Sequence, residues 1–281
     1  MFKRNLHLFG LAIGLALAVG TSNRASSATV YTNAVLADNP VVYWNFDEAG
    51  GDAIDQVNGL AADTLVAGAS ATRVASTTNG GGISLGSAAS LSGAGDGKFS
   101  AADLTHPGGA TQWATEFWAQ SGDPGTFNYL LGGGGNGNNP AFLQWGGAMQ
   151  YYPNGGGVQA PPSLAHPTSS SWQHFVFVVD SDGQTATVYV DGDLWGNQNL
   201  GNPADAHPFG RQVVGGHNPG GASAENFSGL IDEVAIYDLS NAGDLGAAGQ
   251  SIANHYNVPE PASIALLGLG GLLMLRRRRS V

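Results

Sequence analysis

The feature that most constrains this chain is its punctuation. Its 44 glycines are concentrated at 80–82, 132–137, 155–157 and 215–221, and they cut the sequence into short apolar runs. The runs include Val41 to Phe46, Gln112 to Gln120, Phe127 to Leu131, Ala141 to Trp145, Met149 to Tyr152, Trp172 to Asp180, Thr185 to Val190 and Leu230 to Tyr237. Segments of this length, rich in Val, Phe, Tyr and Trp and bounded by turn residues, predict strands of an all-β sandwich or jelly roll. The glycines follow no strict period, which excludes collagen and solenoid architectures. Nothing alternates strand with helix.

The clearest hairpin runs from Trp172 to Asp191. Its first arm, Phe175 to Val179, is apolar on both faces and predicts a central strand covered on both sides. Ser181-Asp182-Gly183 supplies a turn, with Gly183 free to take positive φ. The return arm alternates Thr185, Thr187 and Tyr189 with Ala186, Val188 and Val190, the pattern of one buried face. Asp191-Gly192 then turns the chain again. Helix is expected only near Asn33 to Asp38 and Ala247 to His255.

Both ends have a different character. Lys3 and Arg4, an apolar run from Leu6 to Val19, and Ser26-Ser27-Ala28 predict a secretory signal over residues 1–28, cut by signal peptidase after Ala28 or, alternatively, Ala25. At the other end Pro259-Glu260-Pro261 leads into an apolar segment, Ala262 to Leu275, and then Arg276, Arg277, Arg278 and Arg279. A helix over 262–275 is about 21 Å long, short of a hydrocarbon layer of about 30 Å. The arginines nevertheless point to a membrane, because they snorkel to headgroups and hold that end in the cytoplasm. With Lys3 and Arg4 on the same side, residues 29–257 are expected outside.

The Pro-Glu-Pro triplet, apolar helix and arginine cluster of residues 258–281 together resemble the PEP-CTERM sorting signal. That resemblance implies recognition by an exosortase-type membrane protease, in bacteria that make extracellular polysaccharide. It predicts an exported protein of the cell envelope or matrix, anchored in the inner membrane by residues 262–275 either transiently or permanently. The segment between the two ends has about 230 residues, enough for one large β domain. It holds three basic residues (Arg73, Lys98 and Arg211) against twenty acidic ones, a formal charge of −17. Such a field repels nucleic acid and suits a soluble extracellular domain. Cysteine is absent, which excludes disulfides, thiolate metal sites and cysteine nucleophiles.

A second resemblance covers the domain itself, from about Ala34 to Asn257. Ala37 to Glu48 is similar to the opening strand of laminin G-like, concanavalin A-like jelly rolls. Trp172-Gln173-His174 with Tyr189 to Gly192 resembles their central hairpin, Phe227 to Tyr237 their closing strand, and His255-Tyr256 its end. The region Gly132 to Pro167 matches least and is expected to be a loop-rich insertion. The resemblance implies a structural calcium where first and last strands neighbour each other, which places Asp47 and Asp232 as candidate ligands. A half-buried Asp232 that caps a bulge is the alternative.

Catalytic motifs are weak. Gly82 to Gly86 spells G-x-S-x-G, but a poor helix former follows where a nucleophile elbow needs a helix. Gly132 to Gly137 spells G-x-G-x-x-G, but Asn138-Asn139-Pro140 follows where a phosphate cradle needs a helix N-terminus. Jelly-roll glucanases carry their acid/base and nucleophile at alternate positions of one strand, whereas Asp47-Glu48 and Asp232-Glu233 are adjacent and should point to opposite faces. His174 keeps step with Trp172 and Val176 and is expected in the core. His106, His166 and His207 precede prolines without zinc spacing. Trp44, Trp113, Trp118 and Trp172 are expected in the core. Trp145, Tyr151, Tyr152 and Trp195 adjoin glycine-rich turns and are candidates for stacking on sugar rings or for covering the core rim. The expected function is a non-enzymatic surface module for binding or adhesion, directed at extracellular polysaccharide or cell-surface glycan. A structural envelope component without a discrete ligand, and a glycan hydrolase with cross-strand carboxylates, are the alternatives.

Overall fold

The short apolar runs pair into two antiparallel sheets packed face to face. The computed structural model describes residues 30–59, 63–76, 85–93, 97–100, 110–123, 125, 127–132, 141–145, 147–152, 166–180, 182, 184–199, 213–216 and 225–258, with backbone only at 141, 145 and 152. Residues 1–28, the sorting residues Pro259 to Arg279, His106, His207 and most of both glycine motifs lie outside that set.

In chain order the elements begin with helix α1 (residues 30–37), β1 (Val42–Trp44), β2 (Val66–Ala67), β3 (Thr72–Ala75), β4 (Ser87–Ser92) and β5 (Phe99–Ser100). There follow β6 (Gln112–Ser121), β7 (Asn128–Gly132), β8 (Ala141–Trp145), β9 (Ala148–Tyr152) and β10 (His166–Pro167). The last are β11 (Gln173–Asp180), β12 (Thr185–Val190), β13 (Asp193–Asn199), β14 (Val213–Val214), β15 (Ser228–Asp238) and helix α2 (Leu245–Ala253), which runs into a 3-10 turn, Asn254–Asn257.

The first sheet has the order β13-β12-β11-β6-β15-β4-β3, and the second β10-β9-β8-β7-β14-β5-β2. One edge of β15 changes partner along its length: residues 228–231 pair with β4, then a bulge intervenes, and residues 234–236 pair with β1. First and last strands therefore adjoin, as the jelly-roll resemblance implied.

The core between the sheets is aromatic, with Phe117, Phe142, Tyr151, Phe175 and Phe177 in one cluster and the Phe142 and Phe177 rings 4.4 Å apart. The outer face of the first sheet is also apolar, and it is roofed by Tyr31 and Val35 of α1 and Ile252 and Ala253 of α2. This double cover explains β11: Phe175, Phe177 and Val179 face the inter-sheet core, while Val176 and Val178 face the roof. Helix α2 starts where Asp244 accepts the Ala247 amide at 3.1 Å, a standard N-cap. At the Asp191-Gly192 turn both residues take positive φ (52° and 87°), which matches the twist of the two strands it joins.

The loop-rich insertion expected over Gly132 to Pro167 is only partly among the described residues, since 133–140, 146 and 153–165 lie outside them. Its described residues form β8, β9 and β10, which make up one end of the second sheet. The alternating Phe142, Gln144, Met149 and Tyr151 supply part of the inter-sheet layer.

Candidate functional site

Three places concentrate polar or exposed chemistry. The first is the junction where β15 changes partner. The bulge places Glu233 at φ 54°, next to Asp232, and shifts the register of β15 against β6. Both carboxylates are fully buried. Asp232 accepts the Glu233 amide at 2.9 Å through Oδ1, and Tyr43 donates its hydroxyl to Glu233 Oε2. The other oxygen of each, Asp232 Oδ2 and Glu233 Oε1, has no hydrogen-bond partner among the described residues. Asp47 closes on the junction after β1, accepts the Ser87 amide at 2.8 Å and sits over Gly86, where an added Cβ would lie 2.0 Å from Asp47 Oδ1.

The electrostatics follow from this crowding. Burial, then repulsion from Glu233 and Asp47, pushes the Asp232 carboxyl well above its ordinary range. Burial does the same to Glu233, with the Tyr43 hydrogen bond opposing and Asp47 and Glu116 adding to it. Asp47 is raised by burial as well, with the Ser87 amide opposing and Glu48 adding. The donors are all oxygen, which suits a hard cation such as calcium. Among the described residues no group of three or more His, Asp or Glu side chains is placed to hold a metal. A cation here would take its remaining ligands from backbone carbonyls.

The second place was not among the sequence candidates. Glu116, mid-way along β6, is fully buried under the roof. It accepts hydroxyls from Tyr31 at 2.7 Å and Tyr237 at 2.6 Å, and faces His174 Nε2 at 2.9 Å and His255 Nδ1 at 3.0 Å. The other His255 nitrogen lies 3.4 Å from Asp38 Oδ2. Burial alone would raise the Glu116 carboxyl, but the two histidines outweigh it and hold the group far below its ordinary value. Burial opposes the charge on His255, but Glu116 and then Asp38 raise it above its ordinary value. With carboxylates at both ring nitrogens, His255 is built to be an imidazolium. This network joins both terminal segments, α1 and the 3-10 turn, to one central strand. A lone Glu inside the apolar run from Gln112 to Gln120 was the available signal, because a charge in a doubly covered strand demands partners.

The third place is the side of the sandwich where the free edges of β13 and β10 approach. Trp195 on β13 is 46% exposed, and its ring centroid is 4.3 Å from that of His166 on β10. Of the four candidate stacking residues Trp195 is open and Tyr151 is not, and the side chains of Trp145 and Tyr152 lie outside the described residues. Tyr151 is fully buried against Trp113 and Phe142, because its β9 position faces the inter-sheet core. Trp145 pairs with Ala148 beside the β8–β9 turn, and Tyr152 pairs with Ala141 at the other end of that hairpin, about 13 Å away. His174, Trp44, Trp113, Trp118 and Trp172 are all buried, as their strand periodicity predicted.

The geometry so far is that of a concanavalin A-like jelly roll. The family described as the concanavalin A-like lectin/glucanases superfamily (Laminin_G_3) matches residues 77–241, more than half of the sequence, and the chain belongs to it. The PEP-CTERM protein-sorting motif matches residues 257–279, which implies exosortase processing and an exported, envelope-associated protein. Among the described residues no helix is long and apolar enough to cross a membrane. No curated protein matches the chain.

Solved structures resemble it in fold. Domain 4 of AbnA, a GH43 extracellular arabinanase from Geobacillus stearothermophilus solved in complex with arabinotriose, matches at TM-score 0.49 and 18% identity, over 71% of this chain and 92% of that one. The binding domain of Paraclostridial Mosquitocidal Protein 1 matches at TM-score 0.53 and 13% identity, over 79% of this chain and 53% of that one. The botulinum neurotoxin serotype G binding domain matches at 0.52 and 10%, over 76% and 50%. The chain thus spans about half the length of these toxin binding domains.

Proposed function

We propose that the chain is an exported binding module without catalytic activity, held at the cell envelope or its matrix and directed at polysaccharide. The burial of Asp232, Glu233 and Glu116 supports this reading. These carboxylates are sealed from solvent, whereas glycoside hydrolysis needs two carboxyl groups at least about 5 Å apart and open to substrate. The superfamily description names lectins and glucanases alike, and sealed carboxylates favour the former. The sorting motif supports the envelope setting, with residues 262–275 tethering the domain to the inner membrane either transiently or permanently.

The test is retention of the full-length chain on polysaccharide from the matrix of the producing cell and on a panel of purified polymers. Retention that free polymer competes away, without release of reducing sugar, is expected. A blank across matrix and panel sinks the binding role. Release of reducing sugar that one Asp or Glu substitution abolishes sinks the non-enzymatic one.

A structural calcium ion at Asp47 and Asp232 belongs to the same reading, supported by the unpartnered Asp232 Oδ2 and the mutual repulsion of the junction carboxylates. Millimolar calcium is expected to raise the melting temperature by about 5–10 °C over a chelator control, the effect of a ligand near 100-fold its dissociation constant. The gain should be larger at pH 8 than at pH 5, because the ion replaces protons that these raised carboxyls otherwise keep. Equal melting temperatures with calcium and chelator at both pH values would discard the ion.

A further inference from the structure

The edge formed by β13 and β10 carries an inference that rests on the binding role proposed above and sharpens it. Trp195 lies at a β-bulge. Val188 of β12 opposes Gly196 and Tyr189 opposes Leu194, so Trp195 is the extra residue between them. Bulges at sheet edges re-aim side chains and are common beside functional sites. Here the re-aimed indole spans the gap to the other sheet and meets His166 at 4.3 Å, with the rings near perpendicular. His166 is in turn backed by Phe175 at 5.8 Å. The indole is therefore braced from below while almost half of its surface stays open. A braced, half-open aromatic ring is a platform that loses little entropy when something stacks on it.

The surroundings define what stacks there. His166 Nδ1 lies 2.9 Å from the Pro167 carbonyl oxygen, and burial lowers the ring's affinity for a proton. Gln173 sits 3.3 Å from the same ring. Beyond Trp195 the strand continues as Gly196-Asn197-Gln198-Asn199, with Asn197 anchored to Thr187 Oγ1 at 2.8 Å. The lining is thus one indole, one neutral imidazole and several amides.

No cation is near. Among the described residues the Lys and Arg side chains are Arg73 and Lys98. Arg73 lies on β3, at the opposite end of the first sheet from β13, and pairs with Glu48 at 2.9 Å. Lys98 is buried just before β5, toward the far end of the second sheet from β10. The acidic residues near the platform, Asp191 and Asp193, add to a segment already at −17.

We infer that the Trp195–His166 edge is a saccharide-binding site for an uncharged polysaccharide, one sugar ring stacking on the exposed indole while the flanking amides and His166 exchange hydrogen bonds with its hydroxyls. Uronic-acid and sulfated polymers are disfavoured by charge, since the described residues of the edge offer no cation and a segment at −17 repels anions.

Affinity electrophoresis of the full-length chain in a non-sugar detergent tests this. Gels are cast with neutral glucan, mannan or galactan, and in parallel with alginate or polygalacturonate, at about physiological ionic strength. Retardation by at least one neutral polymer and by neither acidic one is expected. Trp195→Ala should weaken that retardation roughly tenfold or more, as loss of a central aromatic anchor does. Trp195→Phe should keep part of it. Thermal melting of both variants should match the parent, because Trp195 is not a core residue, and Val74→Ser on the opposite edge is the binding control. Retardation by the acidic polymers alone overturns the inference. Neutral-polymer binding that survives Trp195→Ala also overturns it, while leaving the binding role intact. Absence of binding to every polymer overturns both.

Discussion

Glu116→Ala is expected to lower the unfolding free energy by about 3–5 kcal/mol, the cost of breaking a buried charged network by removing one partner. The substitution orphans the Tyr31 and Tyr237 hydroxyls and leaves His174 and His255 facing a cavity. At roughly 2–4 °C per kcal/mol for a domain of this size, the melting temperature should fall by about 6–20 °C. Because Glu116 links α1 and the 3-10 turn to β6, hydrogen exchange should rise first in the two terminal segments. Uniform exchange across both sheets would show that the roof is not held this way.

The same network sets a pH window. Glu116 is depressed, so its contribution is present above the ordinary glutamate value of 4.5 and is lost as pH falls toward its folded value. His255 is raised, so its contribution is complete below 6.5 and is lost as pH climbs through its folded value. Asp232 and Glu233, raised in the folded state, also stabilise at low pH and lose that contribution as pH rises. That loss begins above their ordinary values of 3.8 and 4.5, so stability should peak near pH 4.5 and decline above it, more steeply past 6.5. Glu116→Gln should flatten the acid limb, and His255→Gln should weaken the alkaline one. A profile that neither variant alters would remove Glu116 and His255 as its source.

Gly229→Ala is the second large effect, at least about 3 kcal/mol and perceptible as poor folding yield. Gly229 sits in β15 between β4 and β6 with φ 153°, a conformation that side chains rarely take. A Cβ there would lie 2.2 Å from the Gln120 carbonyl oxygen and 2.8 Å from the Phe227 ring. The obstacle is the backbone of the neighbouring central strand, so a rotamer change cannot relieve it. Gly243→Ala is the control: its Cβ would meet nothing within 4 Å, and the change should be neutral or stabilise by up to about 1 kcal/mol. Equal melting temperatures for the two variants would contradict the packing of β15 against β6.

The local patterns of the sequence were read correctly where spacing decides structure. The Phe175 to Val179 run is the doubly covered strand it predicted, Thr185–Val190 is its partner, and Asp191-Gly192 is the turn beyond. The capped helix near Ala247 and the sorting motif were legible for the same reason, since each is written in consecutive residues. β13 was not legible: Asp193–Asn199 is rich in Gly, Asn and Gln, and becomes a strand through pairing with β12.

The candidate sites divide in the same way. That Asp47 and Asp232 would approach each other was implied by the jelly-roll resemblance, but the bulge that buries Glu233 beside Asp232 was not. Tyr151 and Trp195 looked alike in sequence, each an aromatic beside a glycine-rich turn. Sheet position separates them, because β9 turns Tyr151 into the inter-sheet core while a bulge at the free edge of β13 leaves Trp195 open. Glu116 gathers partners 58 to 139 residues away along the chain. Alternation and capping are properties of neighbouring residues, so the chain's routing, its β character and its central hairpin were present in the sequence alone. Which face is roofed, which carboxylates are sealed and which indole meets solvent depend on distant strands coming side by side, and only the tertiary structure decided them.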